Sequence, residues 1–212
     1  FNTGCPYIDE INNLKPMSIS SLSKKYGFDS EKKIIIFTQH SVTTEFEDSL
    51  KQVEQTINAL ESFPETQIIS FFSNTDAGGK KIIERIGRQK NFIKIPNMLS
   101  KDFLSLMYHS DLMVGNSSAG IREAPSFKLP VINIGTRQNG RLRAINVIDV
   151  NHDSFEIKRA IKKGLYDNKF IESLRDLKNP YGNGTAAYKI VNVLESVKLN
   201  KNLIQKEICY DL

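Results

Sequence analysis

The strongest chemical signal in the sequence is a run of small residues, Gly115-Asn116-Ser117-Ser118-Ala119-Gly120, which follows a short apolar segment. Small residues let the N–H groups of a turn approach a ligand closely, and a helix that starts there directs its positive end at the same place. The run therefore indicates a phosphate-binding turn, with simple helix capping by Ser117 or Ser118 as the alternative. It matches neither GxxxxGK[ST] nor GxGxxG, so it is not one of the two common nucleotide-binding loops.

Glu123, an acid deeper in the same predicted helix, suggests that a phosphate bound at this turn would belong to a ligand that also contains ribose. A capping box would place an acid three residues after the capping serine, and no acid lies there for either serine. More than one turn into the helix, a carboxylate can instead accept hydrogen bonds from a ribose whose phosphates rest on the helix tip. Pro125 removes one backbone donor from this helix, which is consistent with an element shaped by a site. We therefore predict that Glu123 binds ribose.

Polar side chains also follow other predicted strands. His40 can reach an anion from the end of its strand, with packing or helix capping as the alternative. Arg137 and Arg141 offer forked donors for phosphate or carboxylate, or are simply surface arginines. Asp76, in a glycine-rich turn with Asn74, is most simply a turn residue, and ligand contact is the second interpretation. A ligand site shared by these strand ends would unite all of them.

The elements that must position these residues are visible in the hydrophobic pattern. Short β-branched runs, apolar on both faces, alternate with helical periods, which predicts an α/β fold with a doubly wound parallel sheet of the Rossmann type. In such a sheet, ligands bind beyond the carboxyl ends of the strands. The predicted strands are 33–38, 67–72, 92–95, 111–115, 130–134 and 146–150. The predicted helices are 43–62, 79–88, 101–110, 118–127, 154–165 and 185–198.

The pattern predicts one domain over residues 1–212, with segments 1–30 and 200–212 peripheral to the sandwich and packed on its surface or on a missing domain. The chain begins at Phe1 rather than at Met, on a segment typical of a strand end running into a turn. We therefore expect a piece of a longer protein.

Composition narrows the class of protein. With 29 Lys and Arg against 24 Asp and Glu, and 40% hydrophobic residues, the chain is an ordinary globular protein. No apolar run approaches the roughly 20 residues that a membrane helix needs, so a cytoplasmic protein without a membrane partner is expected. Cys5 and Cys209 have no metal-ligand spacing, which predicts reduced thiols, no metal and no cofactor. His109 and His152 are assigned structural or solvated roles, and the scattered basic pairs make nucleic acid a weak candidate.

Several segments together resemble the C-terminal half of the UDP-N-acetylglucosamine 2-epimerase family. The likeness is closest to its hydrolysing branch, which makes N-acetylmannosamine for sialic acid-type sugars. It rests on Thr3-Gly4-Cys5-Pro6, Gln39-His40-Ser41-Val42-Thr43-Thr44, Asn74-Thr75-Asp76-Ala77-Gly78, Gly115 to Glu123, Gly135-Thr136-Arg137-Gln138-Asn139-Gly140-Arg141 and Asn146-Val147-Ile148-Asp149-Val150.

The resemblance implies a GT-B architecture, in which two Rossmann-like domains enclose the active site. It implies that Ser117 and Ser118 hold a diphosphate, that Glu123 holds the ribose, and that His40 touches the phosphate near the leaving group. The uracil would lie against 96–99, which brings Met98 into the site. The remaining predicted UDP contacts are Asn116, Ala119 and Arg137, and further candidates are Arg141, Asp76 and Asn74.

The reaction that the resemblance implies is elimination of UDP to 2-acetamidoglucal, followed by addition of water. Its acid and base carboxylates would lie in an N-terminal domain that this chain lacks, so the fragment alone is expected to be inactive. The expected partners are UDP, a UDP-N-acetylhexosamine, the missing domain and, for the full-length protein, further copies of itself. The alternatives are a bacillosamine-type sugar substrate, the donor domain of a GT-B glycosyltransferase, and a non-catalytic nucleotide-sensing module.

Overall fold

The computed structural model describes residues 1–205, and a parallel sheet of six strands forms its centre. The strands are β1 (Ile34–Thr38), β2 (Gln67–Phe71), β3 (Phe92–Ile95), β4 (Leu112–Gly115), β5 (Val131–Ile134) and β6 (Val147–Val150). Their order across the sheet is β3-β2-β1-β4-β5-β6, and every neighbouring pair is parallel. The predicted doubly wound sheet is confirmed, with each strand within one residue of its predicted bounds.

The central strands are buried on both faces because helices cover both sides of the sheet. Every residue of β1, β2, β4 and β5 is buried, whereas β3 and β6 at the two edges contain half-buried residues. This burial explains why the strands are apolar runs rather than alternating patterns.

Ten helices surround the sheet within residues 1–205. They are α1 (Pro6–Asn12), α2 (Ile19–Tyr26), α3 (Ser49–Leu60), α4 (Gly79–Gly87), α5 (Ser100–His109), α6 (Ala119–Arg122), α7 (Ser154–Tyr166), α8 (Asn168–Ser173), α9 (Ala186–Ser196) and α10 (Lys201–Ile204). Helices α3, α4 and α7 bury their apolar faces in one core, and α1, α2 and α5 bury theirs in the other. None of these helices is long and apolar enough to cross a membrane.

The N-terminal segment belongs to the second core, which differs from the expectation that 1–30 is peripheral. Ile8 of α1 is 1% exposed and Leu22 of α2 is 0% exposed, and both pack with residues of the sheet. The segment after Phe1 runs into helix α1 rather than into a turn. At the other end α10 lies within the predicted tail, and residues 206–212, with Cys209, lie outside the described residues.

Two predicted helices are divided in the structure. Residues 43–62 form a 3-10 turn, Thr43–Asp48, followed by α3, because Glu45 has a non-helical backbone (φ −131°, ψ 22°). Phe46 and Leu50 are therefore exposed rather than part of the core stripe. Residues 118–127 form α6 and then a separate 3-10 turn, Ala124–Phe127, with Pro125 in its first turn.

The two ends of the described chain are tied together by a helix cap. Asp9 of α1 accepts hydrogen bonds from the N–H groups of Ala186 (3.0 Å) and Ala187 (2.7 Å) at the start of α9. A carboxylate at this place satisfies two of the free donors of the helix and interacts favourably with its dipole.

Helices α2 and α5 are joined by a buried acid, Asp102, which is 4% exposed. Its Oδ2 accepts from Lys25 Nζ and from the Tyr26 hydroxyl, both at 2.5 Å. These bonds, first that of Lys25 and then that of Tyr26, hold the pKa of Asp102 below its ordinary value. The ionised form therefore stabilises the fold above the unfolded-state pKa, and this contribution is lost as the pH falls through the folded-state pKa.

Asp102→Asn is expected to lower the free energy of unfolding at neutral pH by roughly 1.5–3 kcal/mol, the usual contribution of a hydrogen bond to a charged group. Urea unfolding of both proteins across acidic pH should show this difference shrinking as the pH falls. Glu172→Gln is the control, because its pair with Arg175 is long (3.8 Å) and exposed. A deficit that stays constant as the pH falls would contradict the role of the Asp102 charge.

Candidate functional site

The connections change direction between β1 and β4, which are neighbours in the sheet, and this creates a crevice at their carboxyl ends. Thr38 at the end of β1 lies opposite Gly115 at the end of β4. Gly115 has φ +129°, and a Cβ there would collide with the Thr38 carbonyl oxygen. A glycine is therefore required where the two strands approach the crevice.

Asn116 fastens the two sides of the crevice together. Its side-chain oxygen accepts from the His40 N–H (2.7 Å), and its side-chain nitrogen donates to the His40 carbonyl (2.8 Å). Its own carbonyl accepts from Gln138 Nε2 (2.7 Å) and from Arg137 NH1 (3.2 Å). Asn116 is 1% exposed and its amide is bonded to the His40 backbone, while its predicted contact with UDP stays a prediction.

The His40 ring has a defined hydrogen-bonding state. The backbone N–H of Asn74 donates to its Nδ1 (3.1 Å), so Nδ1 is an acceptor and the proton of a neutral ring is on Nε2. Burial, helped by the charge of Arg137 and opposed by Asp76, lowers the pKa of His40 to about 4. At neutral pH the half-buried imidazole therefore offers one N–H donor and carries no charge.

The hydrogen bond to His40 Nδ1 comes from the backbone of the turn after β2, which contains Asn74. The Asn74 side chain donates to Asp76 within the turn, and the Asp76 carbonyl accepts from the Gly79 N–H (2.8 Å) at the start of α4. Asp76 therefore lies in a turn closed by its backbone carbonyl, whereas its carboxylate bonds to the Asn74 side chain rather than to a backbone N–H as in an Asx turn. The Asp76 carboxylate is exposed, and its charge acts on both His40 and Arg137.

The small-residue turn leads into α6, which contains only four residues. Ser117 Oγ accepts from the Ala119 N–H (3.3 Å) at the start of this helix, so this hydroxyl already makes a local hydrogen bond. The Ser118 side chain makes no capping bond to the helix and is half-buried. Of the two predicted phosphate ligands, Ser118 therefore has the freer hydroxyl.

Glu123 lies at the break between α6 and the following 3-10 turn and is 4% exposed. Its Oε1 accepts from Arg122 NH2 (2.9 Å), whereas its Oε2 is buried without a hydrogen-bond partner among the described residues. Burial raises the pKa of Glu123, and the charges of Arg122 and Arg141 oppose that rise. A buried acceptor without a donor is costly, so the Glu123 carboxylate is suited to receive one from a ligand.

The loop after β5 carries the two predicted arginines. Half-buried Arg137 is held over the crevice by its bond to the Asn116 carbonyl, and burial lowers its pKa. Arg141 is exposed, and its charge acts on both Arg137 and Glu123. The two arginines and Asp76 line a cavity of about 520 Å³ with polar residues of the loop after β1.

Residues without a predicted role also shape the crevice. Glu45 Oε1 accepts from the Thr136 hydroxyl (2.5 Å), and its Oε2 accepts from Gln52 Nε2 (2.7 Å), which ties the loop after β1 to the loop after β5. Gln138, 1% exposed, anchors the arginine loop to Asn116. No local sequence signal distinguishes either residue, because the bonds that connect the loops join Glu45 to Thr136 and Gln138 to Asn116, which are 91 and 22 residues apart in the chain.

The other predicted residues have different surroundings. Met98 is half-buried in the loop after β3, two strands from β1, and packs on the second core. His109 Nε2 bonds to the Met17 carbonyl (2.8 Å), which fits its structural role. His152 is half-buried beneath Gly135. Within residues 1–205, no three His, Cys, Asp or Glu side chains are grouped closely enough to hold a metal ion.

A larger cavity, about 620 Å³, lies at the opposite edge of the sheet, where β2 and β3 begin. Its buried amide, Gln67, already bonds both the N–H and the carbonyl of Asp29. This cavity lacks the arginines, histidine and glycine-rich turns of the crevice, which is therefore the better candidate site.

Comparisons with known proteins identify the fold and its relatives. A family model described as UDP-N-acetylglucosamine 2-epimerase matches residues 1–195. The chain is 33% identical over 209 residues to the UDP-N,N'-diacetylbacillosamine 2-epimerase (hydrolyzing) of Legionella pneumophila. The aligned residues cover 97% of this chain and 54% of that protein. It is 30% identical over 216 residues to the polysialic acid biosynthesis protein P7 of Escherichia coli, covering 100% of this chain and 54% of that protein. The chain thus spans about half the length of these curated relatives.

A solved structure shows the same architecture. The UDP-GlcNAc 2-epimerase of Neisseria meningitidis, crystallised with UDP-GlcNAc, superimposes with a TM-score of 0.76 at 21% identity, over 92% of this chain and 55% of that one. The chain has the Rossmann-like fold of the C-terminal half of a GT-B protein, as predicted.

Proposed function

The chain belongs to the UDP-N-acetylglucosamine 2-epimerase family, and we propose that it is the UDP-binding half of a hydrolysing 2-epimerase. The whole protein would eliminate UDP from a UDP-N-acetylhexosamine and form N-acetylmannosamine for sialic acid-type sugars. The main support is the crevice between β1 and β4, where a neutral imidazole donor, two arginines and a buried acid are grouped. The name of the Legionella relative supports the hydrolysing reaction, and that of the Escherichia relative supports the sialic acid context.

In this proposal UDP lies along the carboxyl ends of β3, β1 and β4. Its diphosphate rests on the turn at Ser117 and Ser118, its ribose hydroxyls donate to Glu123, and its uracil lies beside Met98. The free Oε2 of Glu123 supports the ribose assignment, because a ribose hydroxyl would supply the donor that this atom lacks.

His40 and the arginines act on the leaving group. Breaking the bond between the sugar carbon and the diphosphate oxygen transfers the electron pair to UDP, so negative charge grows on that oxygen. The Nε2–H of His40 can donate to it, and Arg137 and Arg141 can neutralise the diphosphate. The base that removes the sugar proton and the group that delivers water are assigned to the half of the protein that this chain lacks.

The exposed face of helix α9 is evidence that a further half of the protein packs against this chain. Three of its large apolar side chains are exposed, Tyr188 (71%), Val191 (49%) and Leu194 (69%), and they recur at helical spacing. A stripe of this kind normally packs against another element. We assign its occupant to the further half of the polypeptide that the relatives possess.

Calorimetry of the 212-residue chain with UDP tests the proposal, with CDP as the control for recognition of the base. We expect weak but specific UDP binding, because a half-cleft keeps the phosphate and ribose contacts. We also expect no release of UDP from UDP-N-acetylglucosamine or its bacillosamine-type analogue, since the proposal assigns the base for the sugar to the other half of the protein. Absence of UDP binding would contradict the proposed function, and turnover by this chain alone would contradict the placement of the base.

The complete protein separates the reaction types. A hydrolysing epimerase releases UDP and an N-acetylmannosamine-type sugar without any acceptor. Release that requires an acceptor would instead indicate a glycosyltransferase, and unchanged UDP-sugar would indicate a nucleotide sensor.

A further inference from the structure

The helix break that presents Glu123 leaves a backbone carbonyl without its usual donor. In a continuous α-helix the N–H of Ser126 would donate to the carbonyl of Arg122. Here the Ser126 N–H donates to the Glu123 carbonyl instead (3.0 Å), and Pro125 has no N–H. The Arg122 carbonyl therefore needs a donor from outside the helix.

Asn179 provides that donor from the loop that precedes α9. Its Nδ2 donates to the Arg122 carbonyl (2.7 Å) and to Ser126 Oγ (2.8 Å), on the two sides of Glu123. Its Oδ1 accepts from the N–H of Tyr181 (2.9 Å), which fixes the orientation of the amide. Every polar group of this half-buried side chain therefore contributes either to its own loop or to the helix break.

We propose that Asn179 is a positioning residue of the nucleotide site, which holds the helix break open and thereby directs the Glu123 carboxylate towards the ribose. The inference rests on the proposed function, because it takes Glu123 as the ribose acceptor. Without the Asn179 donor, the Arg122 carbonyl would recover its bond by drawing the Ser126 N–H back into a helical turn. That shift would rotate Glu123, which lies between the two bonded positions.

Asn179→Asp tests the inference, because an aspartate still accepts from the Tyr181 N–H but cannot donate to Arg122. We expect the affinity for UDP to fall by about fivefold to tenfold, in line with one lost hydrogen bond, and the affinity for pyrophosphate to stay unchanged. Asn12→Asp is the matched control, because Asn12 Nδ2 donates to the Asn183 carbonyl of the same loop (2.8 Å). The control should leave the ratio of UDP to pyrophosphate affinity at its wild-type value.

A double-mutant cycle shows whether Asn179 acts through Glu123. In a Glu123→Ala background, Asn179→Asp should cause no further loss of UDP affinity. Additive losses, or an equal fall for UDP and pyrophosphate, would overturn the inference. If Asn179→Asp does not fold, Asn179→Ser, which keeps a weaker acceptor for the turn, undergoes the same tests.

UDP binding by the wild-type chain separates a failure of this inference from a failure of the proposed function. Wild-type UDP binding with an unchanged affinity ratio in Asn179→Asp would overturn this inference alone. No UDP binding by the wild-type chain would overturn the proposed function and the inference with it.

Discussion

Replacing His40 by Ala in an active full-length protein is expected to lower kcat by roughly a hundredfold or more, with a smaller effect on KM. In the proposed reaction the Nε2–H donates to an oxygen whose charge grows as UDP departs, so the lost bond would be stronger in the transition state than in the bound substrate. Because the pKa of His40 is lowered to about 4, its protonation should not shape the kcat profile between about pH 6 and 8. Steady-state kinetics and melting temperature are measured on the same variant.

His109→Ala is the matched control for that experiment. His109 also makes one ring hydrogen bond to the backbone, to Met17, but lies away from the crevice. We expect it to lower the melting temperature and leave kcat near normal. If His40→Ala also lowers the melting temperature and leaves kcat near normal, His40 is a packing or capping residue and not a catalytic one.

Replacing Glu123 by Ala is expected to weaken UDP binding by tenfold to a hundredfold and to leave pyrophosphate binding unchanged. The variant removes the proposed ribose acceptor but keeps the turn at Ser117 and Ser118. A charge-assisted hydrogen bond contributes roughly 1.5–3 kcal/mol, which gives the expected range. Calorimetric titration with the two ligands measures both affinities.

Glu54→Ala serves as the control for the Glu123 variant. Glu54 pairs with Arg85 (3.5 Å) on the face of α3 and is partly exposed, so its loss should change neither affinity. If pyrophosphate binding falls by the same factor as UDP binding in Glu123→Ala, then Glu123 only supports the helix break and the ribose assignment is wrong.

The sheet could be predicted from the sequence because burial on both faces leaves a local signature. A strand such as β1 is a continuous apolar run, and the spacing between apolar residues changes to three or four where a helix begins. The polar segments at the strand ends then follow from topology, since parallel strands bring their carboxyl ends to one edge. The position of the crevice therefore depends only on the order of strands and helices along the chain and not on long-range side-chain contacts.

The local backbone of the site could not be predicted in the same way. Phe46 and Leu50 have helical spacing, but Glu45 interrupts the helix, and its partners Thr136 and Gln52 come from other elements. The carbonyl left free at the break beside Glu123 is bonded by Asn179, which lies 57 residues from Arg122 in the chain. Contacts of this range leave no trace in a short window of sequence. The predicted roles of the site residues stay predictions until binding is measured.

The carboxylate of Asp9 at the start of α9 has a consequence for the order in which the chain folds. Asp9 is synthesised 177 residues before its partner Ala186. Closing so long a loop costs conformational entropy, and α9 buries little besides Ala186 to offset that cost. Helix α9 should therefore dock among the last steps of folding, when the sheet has already formed. In a chain still being synthesised, α9 should therefore stay accessible to chaperones and proteases after the sheet has formed.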